Sequence, residues 1–384
     1  MEHVITGDGA DEVLPQLNSI NLESCSKLTC FYEGSSTLSL PSLKEITVAN
    51  CTAMVTFVSG SSKEKDNVNT SDGGGSQERH DIPVQPFFSD KLEGFNLQSL
   101  ELSGNINIQQ IWHNRVPEMS SLVRNLKVCI VRGCGSLKYL LTSSMVKSLV
   151  NLEGLLVENC KMMEGVIVPE EGFAEEVTTQ KIFFPNLEAL VLGDLPKLTR
   201  FCSGNYIQFP CLTRLLIREC PLLKAFTSSP VIGDIVVSTE KAENTCTPPL
   251  FDAKVAVPVL ETLVIDHMES LDKLWHNQLD AESFCKLKDL HVIGCKTLES
   301  IFPFSMLERL QRLKRLVIRK CDSLEEIFEP EGHIASYSQA LVASQPTLVE
   351  AETKLVLPTL VELWLESLPK LKGFAIQYTL NVHL

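Results

Sequence analysis

The chain has 384 residues, 44% of them hydrophobic, 21% charged and 7% aromatic, with a formal net charge of -14. That apolar content is ample for a packed core and too high for a disordered chain. The negative balance argues against nucleic acid and against anionic lipid, which both call for a basic footprint, and no run of about 18 apolar residues is present to span a membrane.

From the first residue, Met1-Glu2-His3-Val4-Ile5-Thr6-Gly7-Asp8 is polar and acidic and lacks the basic and apolar regions of a secretory signal. The expected location is therefore cytoplasmic. Thirteen cysteines, an odd number without a Cys-x-x-Cys pair, read as reduced thiols rather than disulfides or zinc ligands.

A single frame then recurs to the end of the chain: Leu-x-x-Leu-x-Leu-x-x-Cys-x-x-Leu-x-x-Phe, with substitutions. Its first position is Leu17, Leu43, Leu97, Leu126, Leu152, Leu187, Leu212, Leu260, Leu287, Leu313 and Leu360. Position six is aliphatic in all eleven copies and position fifteen is large and apolar in all. Uninterrupted copies are 25 residues apart at the closest (Leu187 to Leu212) and 29 at the widest (Leu97 to Leu126). Positions one, four and six predict a short strand with its apolar side inward. Positions nine, twelve and fifteen predict a loosely coiled return to the same core. One copy cannot bury its own leucines, but stacked copies can.

The fold expected is thus an α/β solenoid, a leucine-rich-repeat horseshoe with a parallel concave sheet and an irregular or short-helical convex side. It is read as one domain over residues 1–384, with insertions near 59–83, 169–182, 227–254 and 329–354. The first insertion carries Ser71-Asp72-Gly73-Gly74-Gly75-Ser76 and reads as flexible. Pro41, Pro185, Pro210, Pro258 and Pro358 stand two residues before a first leucine, where an entering strand does not yet need its N–H. A longer period is also visible, since Leu126 and Leu152 recur as Leu287 and Leu313, and Trp112-His113-Asn114 recurs as Trp275-His276-Asn277. Between these copies Ser144–Leu149 and Ser305–Leu310 read as short helices, the second with capping-box spacing from Ser305 to Glu308.

Candidate chemistry yields to plainer readings. Position nine is Cys25, Cys51, Cys134, Cys160, Cys220, Cys295 and Cys321, but Asn105, Leu195, Met268 and Leu368 replace it elsewhere. A small buried side chain therefore explains it better than a metal or redox ladder. Each Trp of the two Trp-His-Asn triplets reads as packing at the core's outer edge, with His and Asn solvated. The eight histidines show no ligand spacing, and Gly73-Gly74-Gly75 is not followed by Lys-Ser or Lys-Thr. Asn50-Cys51-Thr52 and Asn69-Thr70-Ser71 match the glycosylation pattern by chance. No catalytic, metal or cofactor residues are assigned, and no enzyme activity or small-molecule substrate is expected.

At Asn159-Cys160-Lys161, Trp275-His276-Asn277-Gln278 and Cys321-Asp322-Ser323-Leu324-Glu325-Glu326-Ile327-Phe328 the sequence resembles the leucine-rich-repeat region of plant intracellular disease-resistance proteins of the coiled-coil, nucleotide-binding type. That resemblance implies a domain that senses a pathogen effector or a guarded host protein, or holds a nucleotide-binding module inactive. No phosphate-binding loop or coiled-coil heptads accompany the repeats, so nucleotide binding is not carried over. The chain then reads as a fragment, a truncated paralogue or a repeat-only relative. The alternative is an adaptor, such as the substrate-recognition arm of a ubiquitin ligase. That reading expects a docking segment for which residues 1–16 are short.

Positions two, three, five, seven and eight of each copy are expected to face outward on the concave side. They give a basic set of Arg214, Arg218, Lys288, His291, Lys314, Arg315, Arg319 and Lys320, with Trp364 beside it. An exposed Trp with Arg neighbours is a common interface composition. Glu153, Glu158, Glu188 and Asp194 form an acidic set before it. The expected partner is a protein with an acidic patch.

Overall fold

The structure is a computed structural model that describes residues 2–7, 11–60, 85–94, 96–104, 106–112, 122–168, 181–203, 206–228, 247–329, 355–374 and 380–381. The four insertions fall largely outside these residues. So do Asn105, His113, Asn114 and the triplet Asn69-Thr70-Ser71.

Positions three to seven of every copy form a five-residue strand. In chain order these are β1 Ser19–Glu23, β2 Glu45–Ala49, β3 Ser99–Ser103, β4 Val128–Arg132, β5 Gly154–Glu158, β6 Ala189–Gly193, β7 Arg214–Arg218, β8 Thr262–Asp266, β9 Asp289–Ile293, β10 Arg315–Arg319 and β11 Glu362–Glu366. They lie side by side in sequence order in one parallel sheet. The register joins like positions: Leu155 pairs with Cys129 on one side and Leu190 on the other. Positions four and six point into the core, and from β2 to β10 these side chains are at most 2% exposed. Positions three, five and seven face the other way and stay partly exposed in most copies.

Position eight is the left-handed residue that ends each strand. All eleven copies have positive φ there, from Asp194 at 50° to Gly104 at 79°. Only three are glycine, and Glu219, His267 and Lys320 are among the others. The ladder enforces this conformation. The position-eight N–H donates to the position-seven carbonyl of the next copy, as from Gly133 to Glu158 at 2.9 Å and from Lys320 to Glu366 at 2.9 Å. An unmade buried hydrogen bond costs as much as the left-handed conformation, about 1–2 kcal/mol. Lys320 therefore sits in a turn, not in the strand face where the frame places it.

Positions nine to twelve close a turn, the position-twelve N–H donating to the position-nine carbonyl, as from Met163 to Cys160 at 3.1 Å. Position-nine thiols donate to the position-seven carbonyl of their own copy: Cys160 Sγ to Glu158 O at 3.4 Å and Cys220 Sγ to Arg218 O at 3.2 Å. Of the seven, only Cys25 is exposed, and the twelve described cysteines are free thiols. Burial pushes the Cys220 thiol up to about 12. A thiol that stays protonated is inert, which agrees with the small-hydrophobe reading at Cys220.

Several prolines act differently from the sequence reading. The N–H of Leu43, Leu260 and Leu360 donates to the residue before Pro41, Pro258 and Pro358. Each of these prolines thus occupies the second place of a β-turn that its fixed φ prepares. The return side is less helical than the spacing suggests. Ser144–Leu149 contains one helical turn, α1 Ser143–Val146, capped by Thr142. At Ser305–Leu310 only a 3-10 turn, Phe304–Met306, forms. Pro303 precedes it without a side-chain cap, so the Ser305–Glu308 capping box is not made. Strands of two to four residues occupy much of the remainder, and they pair with one another in short parallel sheets, such as Gly165–Val168 with Arg200–Ser203.

Aromatic rings line the core below the return side. Phe201 stacks on Phe226 with centroids 4.8 Å apart, and Phe302 on Phe328 at 5.0 Å. Trp112 and Trp275 join this stack, each only 3% exposed. They pack on Phe88 and Phe251, while His276 and Asn277 are exposed.

Candidate functional site

The concave face is three columns of side chains. Along position five, Ile130, Leu156, Val191, Leu216, Val264, His291, Val317 and Trp364 follow one another strand by strand in register. This column is apolar apart from His291. Most of its members are half-buried, Val317 is 7% exposed between its neighbours, and Trp364 is 56% exposed. The flanking columns at positions three and seven carry most of the face's charge.

Half of the basic residues expected on this face have carboxylate partners. Lys288 meets Glu261 at 2.7 Å. Arg315 lies between Glu362 at 2.6 Å and Asp289 at 3.4 Å. Arg319 meets Glu366 at 2.7 Å. Arg218 reaches Glu158 at 2.8 Å, and Glu158 also holds Arg132 at 3.1 Å. That reach crosses a whole strand, since Gly193 is the residue between Glu158 and Arg218 in register. A Cβ on Gly193 would stand 3.1 Å from Glu158 Cγ, so the missing side chain leaves the carboxylate its path. Among the described residues Arg214, Lys314 and Lys320 have no ion-pair partner. The basic set is thus an alternating ladder of charge, and the acidic set before it is partly neutralised by Arg132, Arg218 and Lys127.

Electrostatics follow from these pairs. The Glu362 carboxylate, which accepts from Arg315, is held below its usual range, and the Arg315 guanidinium is raised in turn. Burial pushes the His291 imidazole below its ordinary value, against a smaller opposing pull from Asp289. Neutral His291 continues the apolar column. Lys288, Asp289, Lys314, Arg315, Val361 and Glu362 line a cleft of about 360 Å³ at the edge where β9 to β11 begin. Beyond it the Arg319 guanidinium lies over the Trp364 ring, 5.3 Å from the centroid. A cation on an aromatic face holds the ring in place without covering its other side.

The structure brings together Lys288, His291, Lys314, Arg315, Arg319 and Trp364 on β9 to β11 or their leading edge. Arg214 and Arg218 lie on β7, two strands from β9. What the charge-based reading missed is the apolar column between the rails. The signal was available, because position five is aliphatic in six of these copies, from Ile130 to Val317.

Among the described residues no group of three or more His, Cys, Asp or Glu could hold a metal ion, and no helix is long and apolar enough to cross a membrane. A continuous parallel sheet built from one leucine frame, with a return side that adds no helical layer among the described residues, defines a leucine-rich-repeat protein. The repeats of plant RPS2-like disease resistance proteins match residues 96–236 and 259–375. The chain belongs to that family of leucine-rich repeats. The first two copies, at Leu17 and Leu43, lie before the matched residues, yet β1 and β2 continue the same register. No curated protein and no solved structure matches the chain.

Proposed function

We propose that this chain is the protein-recognition region of a plant disease-resistance protein and that its concave face is the recognising surface. The observation that carries the reading is the apolar position-five column, flanked by charged residues on both sides at β7, β10 and β11 and ending in an exposed Trp364 on Arg319. Apolar centres rimmed by polar groups, with Trp and Arg at the anchors, are where interface energy concentrates. The partner is a protein: a pathogen effector, a guarded host protein or a nucleotide-binding module. The place of action is the cytoplasm, and the domain has no catalytic role of its own.

The binding residues are Arg214, Arg218, Lys288, His291, Lys314, Arg315, Arg319 and Trp364, with Lys320 beside them in the turn that ends β10. Because carboxylates pair with half of these basic residues, the partner surface carries mixed charge, with its acidic groups facing Arg214, Lys314 and Lys320. The test is co-precipitation of a nucleotide-binding module with the repeat chain. Arg315→Glu with Arg319→Glu removes three surface ion pairs, which contribute little to stability, and should abolish capture while the chain still melts cooperatively. A second variant, Arg315→Glu with Glu362→Arg, restores one pair in reverse and should remain defective. Capture that survives both variants rules out the basic set as the site.

A further inference from the structure

The middle of the concave face differs from its C-terminal end. On β4, β5 and β6 position three is Val128, Gly154 and Ala189, and position five is Ile130, Leu156 and Val191. All six are partly exposed and none is charged. They make a flat apolar floor three strands wide. A Cβ on Gly154 would meet nothing within 4 Å, so the space above the floor is open. The Arg132–Glu158–Arg218 bridge walls it along position seven. Glu101 on β3 closes one end, in register with Ile130 and 4.0 Å from the Arg132 guanidinium. Arg214 on β7 closes the other, in register with Ala189. Among the described residues Arg214 has no ion-pair partner, nor does Glu188 at the outer edge of the floor.

We propose that this floor docks a short amphipathic α-helix of the partner protein, laid across the strands with its N-terminus towards Glu101 and its C-terminus towards Arg214. This rests on the reading that the concave face is the recognising side, and it names the shape of what is recognised. Three arguments select a helix. Strands stand about 4.8 Å apart, and a helix repeats its apolar face every turn, about 5.4 Å. An extended chain running the same way repeats every second residue, about 6.7 Å, and loses step after one strand. The distance from β3 to β7, about 19 Å at that spacing, is three to four helical turns. Small residues at Gly154 and Ala189 let a helix backbone come close. Finally, the helix dipole is positive at its N-terminus and negative at its C-terminus, which matches an acid at one end of the floor and an unpaired arginine at the other. The helix therefore carries an apolar seam, a basic residue facing Glu188 and free last-turn carbonyls facing Arg214.

The test is selection of ligands for the immobilised full chain from two displayed libraries, one of helical hairpins randomised on one face and one of extended peptides. Helical ligands with an apolar seam should be enriched. They should lose about tenfold or more in affinity for Gly154→Tyr and for Leu156→Lys, and several-fold for Arg214→Glu. Gly154→Tyr fills open space on a strand and should fold normally, so its loss of binding reports the surface. The same ligands should still bind the Arg315→Glu, Arg319→Glu chain. Enrichment of extended peptides, or helical ligands indifferent to Gly154→Tyr, overturns the proposal. Ligands lost on Arg315→Glu, Arg319→Glu but kept by Gly154→Tyr would overturn it while leaving the concave-face reading intact. Ligands indifferent to every concave variant would remove both.

Discussion

Replacing Gly104 by alanine tests the rule that ends every strand. Gly104 has φ of 79° and donates its N–H to Arg132 O at 3.1 Å. A Cβ there would fall 2.8 Å from the backbone N of Asn50, and closer still to the Asn50 side-chain oxygen. The side chain can swing away, whereas the backbone nitrogen belongs to the preceding left-handed turn and cannot. The left-handed conformation alone costs a non-glycine residue about 1–2 kcal/mol, and the backbone clash adds to it. Gly104→Ala should therefore destabilise by about 2 kcal/mol or more in urea unfolding. Gly135→Ala is the control. Gly135 follows a strand by only a few residues, but a Cβ there meets nothing within 4 Å and its φ is not positive. It should be neutral, or stabilising by about 0.4–1 kcal/mol through the unfolded state. Equal changes in the two variants would refute the claim that ladder hydrogen bonding fixes position eight.

The cysteine ladder and the leucine core should separate on melting. Cys160→Leu places a residue the frame already uses at Leu195, while Leu155→Ala empties a site 2% exposed and should cost on the order of 2–5 kcal/mol. Equal losses would contradict the reading of position nine. A pH titration tests His291. Its folded value is depressed by burial, so the unfolded chain takes up the proton first as pH falls below about 6.5. Stability present above that pH should decline through the window down to the lower folded value, and His291→Gln should flatten the decline. Asp289, Arg315 and Glu362 face the same ring, and a profile unchanged by His291→Gln would assign the dependence to them.

The fold was legible because each copy repeats the same demand. Leu152, Leu155 and Val157 stand at positions that must be buried in every repeat, and eleven statements of the rule outweigh any local exception. Position eight was not legible. Residues as different as Ser24, Asp194, His267 and Lys320 adopt one left-handed turn there, because a hydrogen bond to the neighbouring copy imposes it and leaves residue type no vote. The return-side strands escaped for a related reason, since two-residue segments such as Leu141–Thr142 carry no periodicity and are defined only by their pairing partners. The helix expected from Ser305 and Glu308 failed because Pro303 starts only a 3-10 turn there and no side chain caps it. On the concave face, charge drew the reading to Arg315 and Arg319. The neutralising Glu362 and Glu366 are 47 residues further along the chain in both cases, and only the register brings them together.

The central claim is that this repeat domain engages another protein through its concave side. Site-specific photo-crosslinking in plant cells tests it most directly. A crosslinker at Leu216, in the apolar column, or at Trp364 should trap a single protein partner, and one at Phe183, exposed on the return side, should trap none. The same partner captured from Phe183 and not from Leu216 or Trp364 would place recognition on the opposite face.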